Sequence, residues 1–320
     1  MLNDQMTAET DNSLAIPVNV AGTAPAVLFS LVVATYRRTT EFGAMVQSLL
    51  AQTERRFELI VADQNPDDRL VPLLEPAIRA GIPVTHIKLS VPALSAARNA
   101  GIAKARGEFI AFPDDDCWFE PAVFSRALGA FQANAKLDGL VGHWVEQDPN
   151  GKRPPETLAL NAWRKFRGGV APSFVLFFRT SRVREIGGFF EALGVGRYFG
   201  AAEEDDVILR LLETGSRIDY APDIEIHHRY NHVAKFNAQQ CHRNRSYGRG
   251  TGAVQAKHRL PLWVIGRGLI GPLYHGLRSP NPASGLVLGT YTAWGRIEGL
   301  AGWWLWGRRL LSGNSTQASR

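Results

Sequence analysis

Cysteine is almost missing from this chain: Cys117 and Cys241 are the two thiols in 320 residues. Two thiols cannot build a disulfide framework or a closed structural zinc site, which points to a reducing compartment. Basic residues are missing from the start. Met1 to Asp11 carries Asp4, Glu9 and Asp11 and no Lys or Arg, whereas a secretory signal opens on positive charge. Long apolar runs are missing too. Asn12 to Tyr36 is uncharged, but Pro17, Asn19, Pro25 and Ser30 interrupt it. The near-continuous stretch Val27 to Val33 has the length of a strand, not of a bilayer span. Finally, acids are missing from the end. From Arg229 to Arg320 thirteen Lys and Arg face one acid, Glu298. That segment is therefore +12, and with the chain at +6 the first 228 residues sum to −6.

What is present is ordinary globular material, 45% hydrophobic and 21% charged, enough for one large domain or a domain with an appendage. Residues 1–25 read as a polar tail. Strands are expected over Val27–Ala34, Phe57–Ala62, Val84–Leu89 and Glu108–Phe112, alternating with helices over Thr39–Ala51, Arg69–Ala80 and Leu94–Arg106. Further strands are expected over Leu140–Val145, Phe174–Arg179 and Asp223–Ile226, and an amphipathic helix begins at Glu203. Such alternation implies an α/β fold with a mainly parallel sheet flanked by helices. Ligands then gather at the carboxyl ends of the strands. Those ends read Thr35-Tyr36-Arg37-Arg38, Asp63-Gln64-Asn65 and Asp114-Asp115-Asp116, which makes three polar clusters on one edge.

Three adjacent aspartates repel one another and raise each other's pKa. A divalent cation relieves that repulsion, and the alternate pair Asp114 and Asp116 suits Mg2+ or Mn2+ with positions left open for phosphate oxygens. A turn capping the helix near Pro121 is the simpler reading and accounts for one Asp of the three. The second acidic cluster, Glu203-Glu204-Asp205-Asp206, is either a solvated helix N-terminus favoured by the macrodipole or the source of a general base. His227 and His228 follow the last strand; His227 is the candidate for a further metal ligand. Cys117 reads as a packing residue, because neighbouring anions raise a thiol's pKa. No Gly-Lys-Ser or Gly-Lys-Thr phosphate loop occurs, and the glycines near Gly194 do not match a dinucleotide fingerprint.

Taken in order, Leu31 to Arg38, Leu59 to Asp63, Leu94 to Gly101 and Gly107 to Asp116 resemble the inverting family-2 glycosyltransferases of GT-A, Rossmann-like fold, over about Val27 to His228. The resemblance implies a catalytic domain over residues 26–230 and a role for each matching residue. Thr35, Tyr36, Arg37 and Asp63 would line the nucleotide, and Arg98 and Asn99 would lie against nucleotide and sugar. Asp114 and Asp115 would contact ribose or sugar, and Asp116, with Asp114, would hold the metal. Gap-free spacing from Arg210 puts the base at Glu204, with Asp205 and Asp206 close behind and Glu203 in support. Arg37, Gln64 and Asn65-Pro66 depart from the usual pattern around the base and ribose.

The remaining region, 231–320, is expected to be helical and basic; Arg243 to Gly250 is similar to a basic segment that follows the catalytic core in polysaccharide-assembling members, which implies Arg243 and Arg245 as candidate diphosphate contacts, a solvated basic face being the simpler view. It holds Trp263, Trp294, Trp303, Trp304 and Trp306 beside Arg308 and Arg309, which suits a peripheral anchor on an anionic membrane surface, on the cytosolic face; a buried terminal helix is the competing view. The expected partners are a nucleoside-diphosphate sugar, a UDP-sugar first, and a glycan or lipid-linked acceptor of bacterial surface polysaccharide synthesis, with no nucleic acid. The other readings are a sugar-1-phosphate nucleotidyltransferase, which should carry a Gly-rich loop after the first strand, and a basic-tailed adaptor, which leaves both acidic clusters without a purpose.

Overall fold

Continuous apolar runs buried on both sides set the frame. In a computed structural model describing residues 26–147, 153–229 and 236–307, the first is β1 (Phe29–Thr35), joined by α1 (Thr40–Leu50) to β2 (Phe57–Asp63). Every residue of β2 is buried, as expected of a central strand in a sheet covered on both faces. Then come α2 (Val71–Arg79), the more exposed β3 (Val84–Lys88), α3 (Leu94–Lys104) and β4 (Phe109–Ala111). The turn from α3 into β4 needs Gly107: a Cβ there would lie 2.7 Å from the Ser30 backbone nitrogen.

β5 (Cys117–Phe119), α4 (Val123–Ala133), β6 (Gly139–Trp144), β7 (Glu156–Thr157) and α5 (Leu160–Trp163) follow. A 3-10 turn (Ser173–Val175) leads into β8 (Leu176–Arg179), then α6 (Thr180–Glu185), α7 (Glu203–Glu213) and β9 (Ile218–His228). The described residues close with α8 (Ala238–Lys257), α9 (Leu262–Leu277), α10 (Pro282–Gly302) and one π-helical turn (Trp303–Gly307). The polar tail of residues 1–25 and the pair Arg308-Arg309 lie outside the described residues.

Strand order is β3-β2-β1-β4-β8-β6-β9-β5, with β7 on β9. The expected parallel arrangement holds from β3 to β4. Beyond β4 the sheet is mixed, because β8 enters antiparallel to both β4 and β6 while β6 and β9 run parallel. The carboxyl ends of β1 and β2 and the loop after β4 therefore share one edge, and β9 delivers its own end to β5, just past the three aspartates. An aromatic core centred on Phe29, Phe109, Phe124 and Phe177 backs that edge.

Candidate active site

Asp63 ends β2 with no solvent exposure. Its Oδ1 accepts from the Asn65 backbone N–H (2.8 Å) and side chain (2.7 Å). Oδ2 meets His86 Nε2 at 2.9 Å and Lys88 Nζ at 3.2 Å. Burial opposes ionisation here, and those donors outweigh it, so the carboxyl sits below its ordinary value. Asn65 Oδ1 in turn accepts the Arg37 N–H at 2.6 Å, holding Arg37 at φ 64°, where few residues other than glycine settle. Gln64 Oε1 accepts the Ala93 N–H at the start of α3. Gln64 and Asn65 thus work as scaffolding that aims the β1 and β2 ends. Tyr36 stays partly exposed beneath the Arg37 guanidinium.

The aspartates after β4 are drawn together. Asp115 Oδ1 accepts from Arg38 Nη1 at 2.7 Å, and the same guanidinium is paired with Asp116. Asp116 also meets His228 Nε2 at 3.0 Å. Burial pushes Asp115 up to about 6 against the pull of Arg38. Asp114 is raised as well, by burial first. Asp116 is held below the usual range because His228 and Arg38 overcome its burial. One donor atom each from Asp114, Asp116 and His228 lies within 4.8 Å of the others. Two carboxylates and an imidazole converging at the end of a sheet form a donor set that fits a divalent cation.

The second acidic cluster is sorted by its partners. Arg98, 2% exposed, donates Nη1 to Glu203 at 2.9 Å and Nη2 to Asp114 at 3.1 Å and to Ser173 Oγ at 2.5 Å. One buried guanidinium therefore ties the two clusters together. Asp206 is fully buried among Arg210 Nε (2.9 Å), His258 Nε2 (2.8 Å) and Lys257. These outweigh its burial and press its carboxyl far below the ordinary range. Asp205 shares a small cavity with Trp163, Phe166, Gly168, Gly169 and Leu209; burial, then Glu203 and Asp206, lift it to about 7. Glu204 is left. Its buried Oε2 has no hydrogen-bond partner, and burial followed by the charges of Glu203 and Asp205 raises its carboxyl well above the ordinary value. The turn that starts the helix is strained at Ala202, φ 67°.

Residues 30–187 match the family model described as Glycosyl transferase family 2. The chain carries a family-2 glycosyltransferase domain. Over 135 residues the chain is 32% identical to an uncharacterized glycosyltransferase, EpsJ, of Bacillus subtilis (strain 168), covering 41% of this chain and 39% of that one. An uncharacterized glycosyltransferase of Haemophilus influenzae (strain ATCC 51907 / DSM 11121 / KW20 / Rd) is 30% identical over 112 residues, 35% of this chain and 37% of its own. The chain thus spans well under half the length of either relative. Among solved structures, the Staphylococcus aureus TarS fragment 1–349 in complex with UDP-GlcNAc aligns with a TM-score of 0.53 at 15% identity, covering 83% of this chain and 90% of that chain. The mannosyltransferase PcManGT of Pyrobaculum calidifontis, with GDP-Man and Mn2+, aligns at 0.54 and 14%, covering 91% and 80%. At those identities the likeness establishes the fold alone.

Four placements differ from the sequence reading. His227 is not beside the aspartates; His228 is. Neighbours on a strand point to opposite faces, so His227 stacks on Trp118 at 5.2 Å and bonds Glu146 and Glu120, while His228 stacks on Phe174 over Asp116. Arg245 is turned to Glu298 on α10, and Arg243 lies over the Tyr247 ring. The charges from the α8 end that meet the acidic helix are Lys257 and His258, which no motif had marked. Asp206, counted among the catalytic acids, is locked in that cationic nest. Asn99 spends its amide on the 189–191 turn, bonding Phe189 in both directions and Glu191. Cys117 is buried, its thiol raised by burial and by the aspartates, as expected of a packing residue.

Proposed function

We propose that this glycosyltransferase moves a sugar from a nucleoside-diphosphate donor to a hydroxyl of a glycan or lipid-linked acceptor, with inversion, in bacterial surface polysaccharide synthesis. The observation that carries the reading is the Arg98 guanidinium, which joins Asp114 of the Asp114, Asp116 and His228 donor set to Glu203, next to Glu204, whose buried Oε2 has no hydrogen-bond partner. Nucleotide-sugar complexes of the structural neighbours, UDP-GlcNAc with TarS and GDP-Man with PcManGT, support the donor class. A UDP-sugar is the first donor to test.

Asp63 and the Thr35–Arg37 segment line the place where the nucleotide would lie. Asp114, Asp116 and His228 would hold Mg2+ or Mn2+. Such an ion supplies positive charge for the diphosphate as it leaves. Glu204 accepts the proton of the acceptor hydroxyl; that oxygen bonds to the anomeric carbon as the bond to the diphosphate oxygen breaks, and the electron pair departs with the nucleoside diphosphate. A carboxyl raised by burial and by neighbouring acids holds a proton more readily than an ordinary one. Arg98 neutralises Glu203 and Asp114, so the acids around Glu204 and the metal ligands coexist in one cleft.

Thermal unfolding with a panel of nucleotide sugars and Mn2+ or Mg2+ tests the reading, since a ligand that binds the folded state raises stability by mass action. A UDP- or GDP-sugar should raise the melting temperature only with the cation present, and Asp116→Ala should erase both that shift and sugar transfer while the fold persists. Unchanged turnover in Asp116→Ala would refute the metal role.

A further inference from the structure

The C-terminal helices are inside out. Where α8, α9 and α10 meet, main chain lies against main chain. A Cβ at Gly295 would fall 2.1 Å from the Arg245 carbonyl oxygen, one at Gly299 2.1 Å from that of Arg249, and one at Gly276 2.3 Å from that of Gly285. The buried positions of α10 are Gly289, Gly295, Gly299 and Gly302, and those of α9 are Val264 and Gly276. The large apolar side chains are outside instead. Trp263, Ile270, Tyr274 and Leu277 follow at intervals of seven, four and three along α9, and Ile270 is 66% exposed. On α10, Val287, Trp294 and Ile297 are likewise exposed.

A helical hairpin facing water puts its apolar side chains between the helices and polar ones outside. Small residues at the helix contacts with large apolar residues on the outer surface are the pattern of helices that meet hydrocarbon. No described helix is long and apolar enough to cross a membrane, so contact with one leaflet is the geometry left. The charge selects the lipid. From Leu262 to Gly307 the one acid is Glu298, and Arg245 already holds it. Arg278, exposed at the hairpin turn, lies over the Tyr274 ring, and Arg267 over that of Trp263. Aromatic rings beside guanidinium groups suit the boundary between acyl chains and anionic headgroups. A second copy presenting this face would bring like charges together.

We propose that the outer faces of α9 and α10 dock the protein on an anionic phospholipid bilayer, with Ile270, Leu277 and Trp294 entering one leaflet and Arg278 meeting headgroup phosphates. This goes beyond the proposed transfer reaction and stands or falls without it, because docking is read with no donor or acceptor present. Deleting α10 is a poor test, since it would also strip α8 and Arg245 of their partners. The full chain should instead be sedimented with phosphatidylcholine vesicles with and without phosphatidylglycerol. We expect binding to the anionic vesicles, weakened by salt, with Trp fluorescence quenched by brominated acyl chains. Ile270→Asn with Leu277→Asn should lower vesicle affinity at least about tenfold, the scale of removing two exposed apolar side chains from lipid, with thermal unfolding unchanged. A full chain that stays unbound at low salt, or a double variant that binds as well as the parent, would overturn the proposal. So would a dimer in solution that the double variant turns into monomer with no lipid binding by either form, which would make this face a contact between copies.

Discussion

The two ends of this protein solve burial in opposite ways. Around the sheet edge, charged groups are taken out of water and matched to each other, as with Asp206 among Arg210, Lys257 and His258, or Arg98 between Glu203 and Asp114. In α9 and α10 almost nothing but glycine is taken out of water, and the apolar bulk faces outward. The first arrangement trades desolvation for directed electrostatics, which is worth its cost where a reaction must be steered. The second gains backbone contact and leaves the hydrophobic surface for something else. Glu204 stands out against the first region: it is the acid of its cluster whose buried oxygen has no hydrogen-bond partner.

That contrast can be broken at four points. Glu204→Gln should lower the rate of transfer about 10²–10⁴-fold, the worth of a general base, while donor binding by thermal shift is retained. In the parent, transfer should fall as pH drops through a value above the ordinary carboxylate range, since the protonated carboxyl cannot take a proton; in the variant that limb should vanish. A variant with full activity would move the base to Asp205. Asp206→Asn should destabilise the fold by about 3–5 kcal/mol in chemical denaturation, because it leaves Lys257 and Arg210 buried without their counter-ion. Asp206 also sets a pH trend. Its folded-state pKa is depressed, so its contribution is complete above the unfolded carboxyl value of about 4 and is lost as pH falls below it toward the folded one; the variant should lose this acid sensitivity. Gly299→Ala should cost roughly 1–3 kcal/mol by overpacking against the Arg249 carbonyl, read as a lower melting temperature. The smallest change is expected at Ile270→Ser, within about 0.5 kcal/mol of parent stability, since its side chain meets solvent; a large loss of stability there would mean that the outer face of α9 is packed after all.

Much of the catalytic half was legible before any coordinates. Phe57 to Ala62 reads as a strand because nothing in it but Glu58 is polar, and Glu58 is satisfied in place by Ser30 and Arg106. Asp114 to Asp116 were legible because such crowding needs a compensating charge. What the residues alone could not show was parity. With β9 read as Asp223–Ile226 rather than Ile218–His228, the choice between His227 and His228 had no basis. Nor could local spacing find Lys257 and His258, whose partner Asp206 lies 51 and 52 residues earlier. The terminal helices misled for a different reason. Their basic and Trp-rich composition suggests a surface anchor throughout, but Trp303 is buried against Phe190 and Trp306 stacks on Phe199, so part of that aromatic run packs on the domain.

The guanidinium of Arg98 has one further consequence. Its two carboxylate partners come from opposite halves of the domain, Asp114 from the parallel strands and Glu203 from the helix that follows the mixed ones. A fragment ending before α7 would keep Arg98, Asp114 and Ser173 but remove the carboxylate that Nη1 of the buried guanidinium meets. The strands that bring Asp114 and the helix that brings Glu203 are therefore coupled through one buried charge, and a cut between them should weaken both pieces.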